Sequence, residues 1–258
     1  MTHDIAYRRI LTRMGYYNYQ RGMIFHHASQ QGGWEDHHEH SRKFILKALN
    51  YYKPEKVTVL GSGWLLDLPF SEMLEKVSRI CLIDIIHPPD VIKQVNRYSK
   101  VELIEQDVTG GLIAEVWEKT KKYSFFKKLK SLDSIVIPEY CLANDPGMII
   151  SLNILTQLES LPIDFIKKRS KIDEEVFRLF RSKIQKKHID FLMKYKSVLI
   201  SDYAEVITNR SGVSKTNPTL YTDLPKSATR EEWIWNFDKS GGDLYNSRSQ
   251  FKVVGLIN

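Results

Sequence analysis

Two glycines and two aspartates, set one strand–helix–strand interval apart, are the residues of this 258-residue chain best suited to hold a ligand. Gly61 and Gly63 flank Ser62 in a tight turn, where missing side chains allow close backbone approach. Asp84 lies 23 positions beyond Gly61, and Asp107 a further 23 beyond Asp84. A carboxylate at Asp84 can accept hydrogen bonds from two ribose hydroxyls. One at Asp107 can accept from an adenine amino group, with the run Val101–Glu105 as an apolar wall beside it. That chemistry suits a nucleoside-bearing cofactor. The same residues also fit a plain tight turn and two polar strand ends.

The elements that must position these groups read as a βα series. An apolar strand over 57–60 precedes the glycine turn, a second over 80–86 carries Asp84 near its end, and Val101–Glu105 stops just before Asp107. Each interval accommodates a crossover helix between parallel strands. The turn would present its N–H groups at a helix start, and the acids would fall at the carboxyl ends of neighbouring strands, where open α/β sheets bind ligands. Short helices are expected over 70–77 and 112–122, a fourth strand at Met148–Leu152, a long amphipathic helix over 173–195, a fifth strand over 197–201 and a last strand over 251–256. Residues 1–34 read as irregular and aromatic, broken at Gly32-Gly33, with a helix starting at Glu35. Residues 204–227 read as a polar loop. The expected architecture is α/β: a doubly wound, mostly parallel sheet over 53–258, preceded by an N-terminal extension with a lid-like helix over 1–52.

The strings VLGSGWLLDLP (59–69), CLIDIIHP (81–88), LIEQDVTGG (103–111) and MIISLNILTQL (148–158) carry a family likeness. In them the chain resembles the class I S-adenosylmethionine-dependent methyltransferases, of Rossmann-like fold, over roughly residues 40–205. The resemblance implies S-adenosylmethionine as cofactor: Gly61, Ser62 and Gly63 under its methionine part, Asp84 on the ribose, Asp107 at the adenine. It places Asn153, at the end of the fourth strand, beside the transferred methyl, with Gln157 one helical turn on and His37 or His40 as a base. The chain departs from the family where an acid usually stands (Val59) and at the third glycine (Leu65), and Asp67 lies near enough to substitute for that acid. A nicotinamide fingerprint would need glycine at Leu66.

His26, His27, His37, His38 and His40, with Glu35, Asp36 and Glu39, form the other unusual cluster. Imidazoles and carboxylates suit zinc or iron, but the spacings are not those of a metal motif, and acids in the first turn of a helix are favourable in themselves. No metal is expected. Trp34, His37 and His40 could instead form a lid. Trp233 and Trp235 would share a face in a strand, as a core pair or a stacking surface.

Composition sets the frame. An apolar fraction of 42% and a charged fraction of 27% exclude disorder over most of the length. Cys81 and Cys141 are not spaced as a metal pair and suggest a reducing compartment. The N-terminus lacks a signal-like apolar core, and no apolar run reaches the ~20 residues of a membrane span, so a cytoplasmic protein is expected. The net charge of +7 is concentrated in 119–130 and 167–187. It favours an anionic acceptor, small molecule or RNA. The competing functions are a non-catalytic nucleic-acid-binding protein on the same fold and a metal-dependent hydrolase at the histidine cluster.

Overall fold

Runs of Val, Ile and Leu that are buried along nearly their whole length form the middle of a parallel sheet, because crossover helices cover both faces. Such runs are β1 (Lys56–Leu60), β2 (Arg79–Asp84), β4 (Met148–Leu152) and the first half of β5 (Ser197–Thr208), while β3 (Val101–Glu105) is a half-exposed edge. The computed structural model describes residues 3–124, 126–227, 229–241 and 247–258, so Phe125 of the basic 119–130 stretch lies outside the described residues. The strand order is β3-β2-β1-β4-β5-β8-β7, with β7 at Thr229–Asp238 and β8 at Arg248–Ile257. β1 to β5 pair in parallel; β8 runs antiparallel to β5 and β7 antiparallel to β8. This is the expected mostly parallel α/β sheet.

One face is covered by α3 (Glu35–Tyr52), α4 (Phe70–Lys76) and α5 (Pro89–Val95), whose Phe44, Ile45, Met73 and Val91 join strand residues in one core. On the other face α8 (Glu174–Leu192) lays Ile189, Phe191 and Leu192 on Leu60, Ile149 and Leu199. A third cluster joins α6 (Leu112–Thr120), α7 (Ser160–Lys167), α8 and the first helix. On α8, Val176 and Leu179 face outward despite their apolar character.

Three expectations are corrected. Residues 1–34 are not irregular: they form α1 (Ile5–Met14) and α2 (Tyr16–Ser29). Asp4 caps α1 by accepting from the Tyr7 amide at 2.7 Å, and Gly15, at φ 95°, ends it in the left-handed conformation. Residues 204–227 are not all loop: β5 runs on to Thr208 and pairs with β6 (Ser214–Pro218) as a hairpin. The sequence of β6, SKTNP, is polar because it is an exposed edge. Finally, the helix expected over 70–77 is present as α4, but it begins at Phe70, so the N–H groups of the glycine turn do not stand at its start.

The core also holds a titratable group with a measurable signature. His188 of α8 is buried, with Nε2 2.8 Å from Ser151 Oγ of β4. Burial pushes its pKa down from 6.5 to about 4. Between those values the unfolded chain binds more protons than the folded one, so this contribution to stability is full above pH 6.5 and drains as the pH falls towards 4. The gap corresponds to about 3 kcal/mol. His188→Gln should therefore lose less stability than the wild type between pH 7 and pH 4, by about 2–3 kcal/mol in urea unfolding.

Candidate functional site

The chain runs outward from β1 to β2 and β3, then returns to place β4 on the opposite side of β1. A crevice at such a reversal, outside the carboxyl ends of the strands, is where doubly wound sheets take ligands. Here it is a cleft of about 210 Å3, with the glycine turn, Asp84, Asp107 and Asn153 all on its lining.

The turn is held by its neighbours. The Gly61 amide donates to Ile83 O at 2.9 Å. The Gly63 amide donates to Asp84 Oδ2 at 2.7 Å, while Asp84 Oδ1 accepts from the Ile85 amide at 2.7 Å. Burial raises the Asp84 pKa, against those amides, which favour the carboxylate. Two amides leave the carboxylate with acceptor capacity for further donors. Leu65, the residue at the third-glycine position, keeps a left-handed backbone at φ 62° and is buried in the core.

Asp107 is more heavily engaged. Its Oδ1 accepts from the Thr109 amide at 2.8 Å, and Oδ2 from the Tyr7 hydroxyl at 3.1 Å and the Ile113 amide at 3.4 Å. It therefore ties the start of α6 to α1. A ligand amino group would share this carboxylate with Tyr7.

α2 forms the roof. Tyr16, Tyr19, Gln20, Met23 and Ile24 line the cleft, at the i, i+3, i+4, i+7, i+8 spacing of one helical face. That spacing is the signal that could have revealed the helix. Trp34 and Trp235 also line the cleft, with centroids 4.8 Å apart and planes at 84°.

Asn153, at the end of β4, sits at φ 52°, a strained conformation for a residue with a side chain. Its amide donates to Asp67 Oδ2 at 3.1 Å and lies 3.1 Å from His37 Nε2. Gln157 donates to the Asn153 carbonyl at 2.6 Å. His37 is fully buried, stacks on Trp235 at 4.1 Å and 9°, and accepts at Nδ1 from the Trp233 indole at 3.0 Å. With Nδ1 an acceptor, the neutral ring carries its proton on Nε2. Burial holds the His37 pKa well below 6.5, so the ring is neutral. Its Nε2–H faces Asp67 Oδ1 at 3.4 Å; His38 Nε2 lies 3.4 Å from the same oxygen. Burial raises the Asp67 pKa to about 6, against the Asn153 hydrogen bond and the Arg42 charge.

The structure thus brings together Gly61, Ser62, Gly63, Asp84, Asp107, Asn153 and Gln157 on one lining. His40 lies apart from them: it is exposed, stacks on Trp233 at 5.8 Å, engages the Asp36 carbonyl, and is not among the residues lining the cleft. Of the lid considered from Trp34, His37 and His40, only Trp34 lines the cleft. Among the described residues no group of three or more His, Cys, Asp or Glu side chains is arranged to hold a metal; His26 and His27 pack on Phe237 and Trp34, and His26 Nε2 lies 2.9 Å from the Phe237 carbonyl. In the basic stretches Lys121, Lys167 and Lys186 pair with Glu118, Glu174 and Asp190, which weakens the case for a nucleic-acid face. Among the described residues no helix is long and apolar enough to cross a membrane.

No protein-family model matches the sequence, and no curated protein matches it. Solved structures with a similar course of chain include the N-methyltransferase NodS from Bradyrhizobium japonicum WM9 in complex with S-adenosyl-l-homocysteine. It is 12% identical over 84% of this chain and 86% of that one, with a TM-score of 0.41. The Burkholderia thailandensis 1,6-didemethyltoxoflavin-N1-methyltransferase is 9% identical over 100% and 92%, with a TM-score of 0.39. The 23S rRNA methyltransferase ErmE is 9% identical over 84% and 68%, with a TM-score of 0.29.

Proposed function

We propose that this protein is an S-adenosylmethionine-dependent methyltransferase whose cofactor lies in the cleft at the β1–β4 reversal. One observation carries the reading: the glycine turn, Asp84 and Asp107 line the same cleft at the carboxyl ends of three adjacent parallel strands. A glycine turn and a buried acid on one side, a second acid and apolar residues on the other, suit a nucleoside with a polar tail.

The cofactor's sulfonium supplies an activated methyl group, so the chain need only bind, align and keep water out. Asp84 accepts from the ribose hydroxyls and Asp107 from the adenine amino group, sharing it with Tyr7. The α2 roof, with Tyr16, Tyr19 and Met23, limits access of bulk water. Asn153, held by Asp67 and by Gln157 on its carbonyl, orients the acceptor at the end of β4. His40 has no part in this arrangement.

Isothermal titration with S-adenosylhomocysteine tests the proposal. Saturable one-to-one binding is expected, with a Kd between about 1 μM and 1 mM. A flat titration at millimolar ligand would remove the reading and leave only the architecture.

A further inference from the structure

The cleft has a charge pattern that the surface does not share. Among its described lining residues Asp67, Asp84 and Asp107 are acidic, and there is no Lys, Arg or His. The protein carries a net charge of +7, yet the lysines lie elsewhere. An anionic acceptor entering this cleft would meet three acids and no cationic side chain on the lining. This runs against the anionic acceptor that the overall charge suggests.

Asp84 and Asp107 take the ribose and the adenine under the cofactor reading, while Asp67 is given no atom of the cofactor there. Asp67 bonds Asn153 at the end of β4, across β1 from the strands that carry Asp84 and Asp107, and is linked through His37 to Trp235, which meets Trp34. Trp34 and Trp235, which meet edge to face, line the cleft with Asp67, and an aromatic wall beside a carboxylate suits a cationic nitrogen. We propose that the methyl acceptor is a basic nitrogen, an amine or its ammonium, which docks between the Trp34–Trp235 pair and the Asp67 carboxylate, and that Asp67 takes its proton. This rests on the cofactor reading above.

The chemistry closes. Asp67 accepts one proton from the ammonium. The freed lone pair forms the new N–C bond as the C–S bond breaks, its electron pair going to sulfur. The proton then leaves Asp67 for solvent, so one proton is released per methyl transferred. A phenol giving up its proton would leave a phenolate among three acids, where an ammonium leaves a neutral amine, and an alcohol is far too weak an acid for a carboxylate to activate. The groups facing Asp67 fit a proton acceptor. Asn153 donates to Oδ2, and the neutral His37 and His38 rings stand 3.4 Å from Oδ1. The Arg42 charge acts on it from α3. Asp67 Oδ1 has no hydrogen-bond partner within normal reach. Burial raises its pKa to about 6, which leaves it ionised at neutral pH yet a better base than an exposed aspartate.

The test uses the full chain saturated with S-adenosylhomocysteine, titrated with benzylamine, benzyl alcohol and benzoate at pH 8. Benzylamine is expected to bind at least about tenfold more tightly than either of the others. Asp67→Asn, and Asp67→Ser as a second variant of checked melting temperature, should narrow that margin below about threefold and leave S-adenosylhomocysteine affinity within about threefold. Benzoate binding as well as benzylamine, or none of the three binding, overturns the proposal. So does an Asp67→Asn variant that loses about tenfold or more in S-adenosylhomocysteine affinity, because Asp67 would then hold the cofactor. If S-adenosylhomocysteine itself fails to bind the wild type, the cofactor reading falls separately. The same three probes on the ligand-free protein then decide the amine pocket by the same margins.

Discussion

Asp84→Ala is expected to raise the Kd for S-adenosylhomocysteine at least about 100-fold, or about 2.7 kcal/mol, while the melting temperature holds or rises. The two effects have opposite signs for one reason. Asp84 is buried at the end of β2, and desolvation raises its folded pKa above the unfolded value. For an acid so shifted, the ionised form opposes folding at neutral pH, and removing it relieves that term. The alanine also frees the Gly63 and Ile85 amides, each of which loses its 2.7 Å acceptor but belongs to a residue on the cleft lining, where water can replace it. Binding loses more, because a carboxylate accepting from two hydroxyls makes charge-assisted bonds of about 1.5–3 kcal/mol each. Asp84→Asn, which keeps the shape without the charge, should fall between. A variant that loses stability but keeps its affinity would make Asp84 a clamp on the turn and nothing more. Calorimetric titration and thermal unfolding on the same preparations separate the outcomes.

The parallel strands were legible because burial on both faces writes itself as unbroken apolar runs. Met148–Leu152 and Val101–Glu105 are read to the residue, and the acids follow from where those runs stop. α2 was harder. It buries no residue fully, so its aromatic stripe stands beside exposed Tyr17 and Phe25 and blurs the helical period. The polar end of β5 and all of β6 escaped for the reason that makes them stable there: they pair as a hairpin, and the edge strand is polar. The relation of His37 to Asn153 and Trp233 was out of reach altogether. Those contacts span 116 and 196 positions, and no local pattern carries them. His40, three residues from His37, could be told apart only by which side of α3 faces the sheet.

The glycine turn supplies the last prediction, because its two glycines are required for different physical reasons. A Cβ on Gly61 would overlap Ile154 Cγ2 and lie 2.8 Å from Leu152 O, at a backbone φ of 81°. Gly61 thus lets β1 and the end of β4 close on one another at the floor of the cleft. Gly61→Ala combines left-handed strain of about 1–2 kcal/mol with an overpacked core contact of similar size. It should destabilise the protein by about 3 kcal/mol, lower the melting temperature by about 6–12 °C, and abolish S-adenosylhomocysteine binding. A Cβ on Gly63 would have nothing within 4 Å, although φ is 50° there. Gly63→Ala should therefore lose only about 1 kcal/mol of stability. Its methyl group would stand in the open space that the proposed ligand must occupy, so affinity should drop about tenfold or more. The pair makes a discriminating experiment. If Gly63→Ala binds as well as the wild type, the space beside the turn is not where the cofactor lies. If it unfolds as readily as Gly61→Ala, both glycines serve the fold alone and the turn has no claim on a ligand.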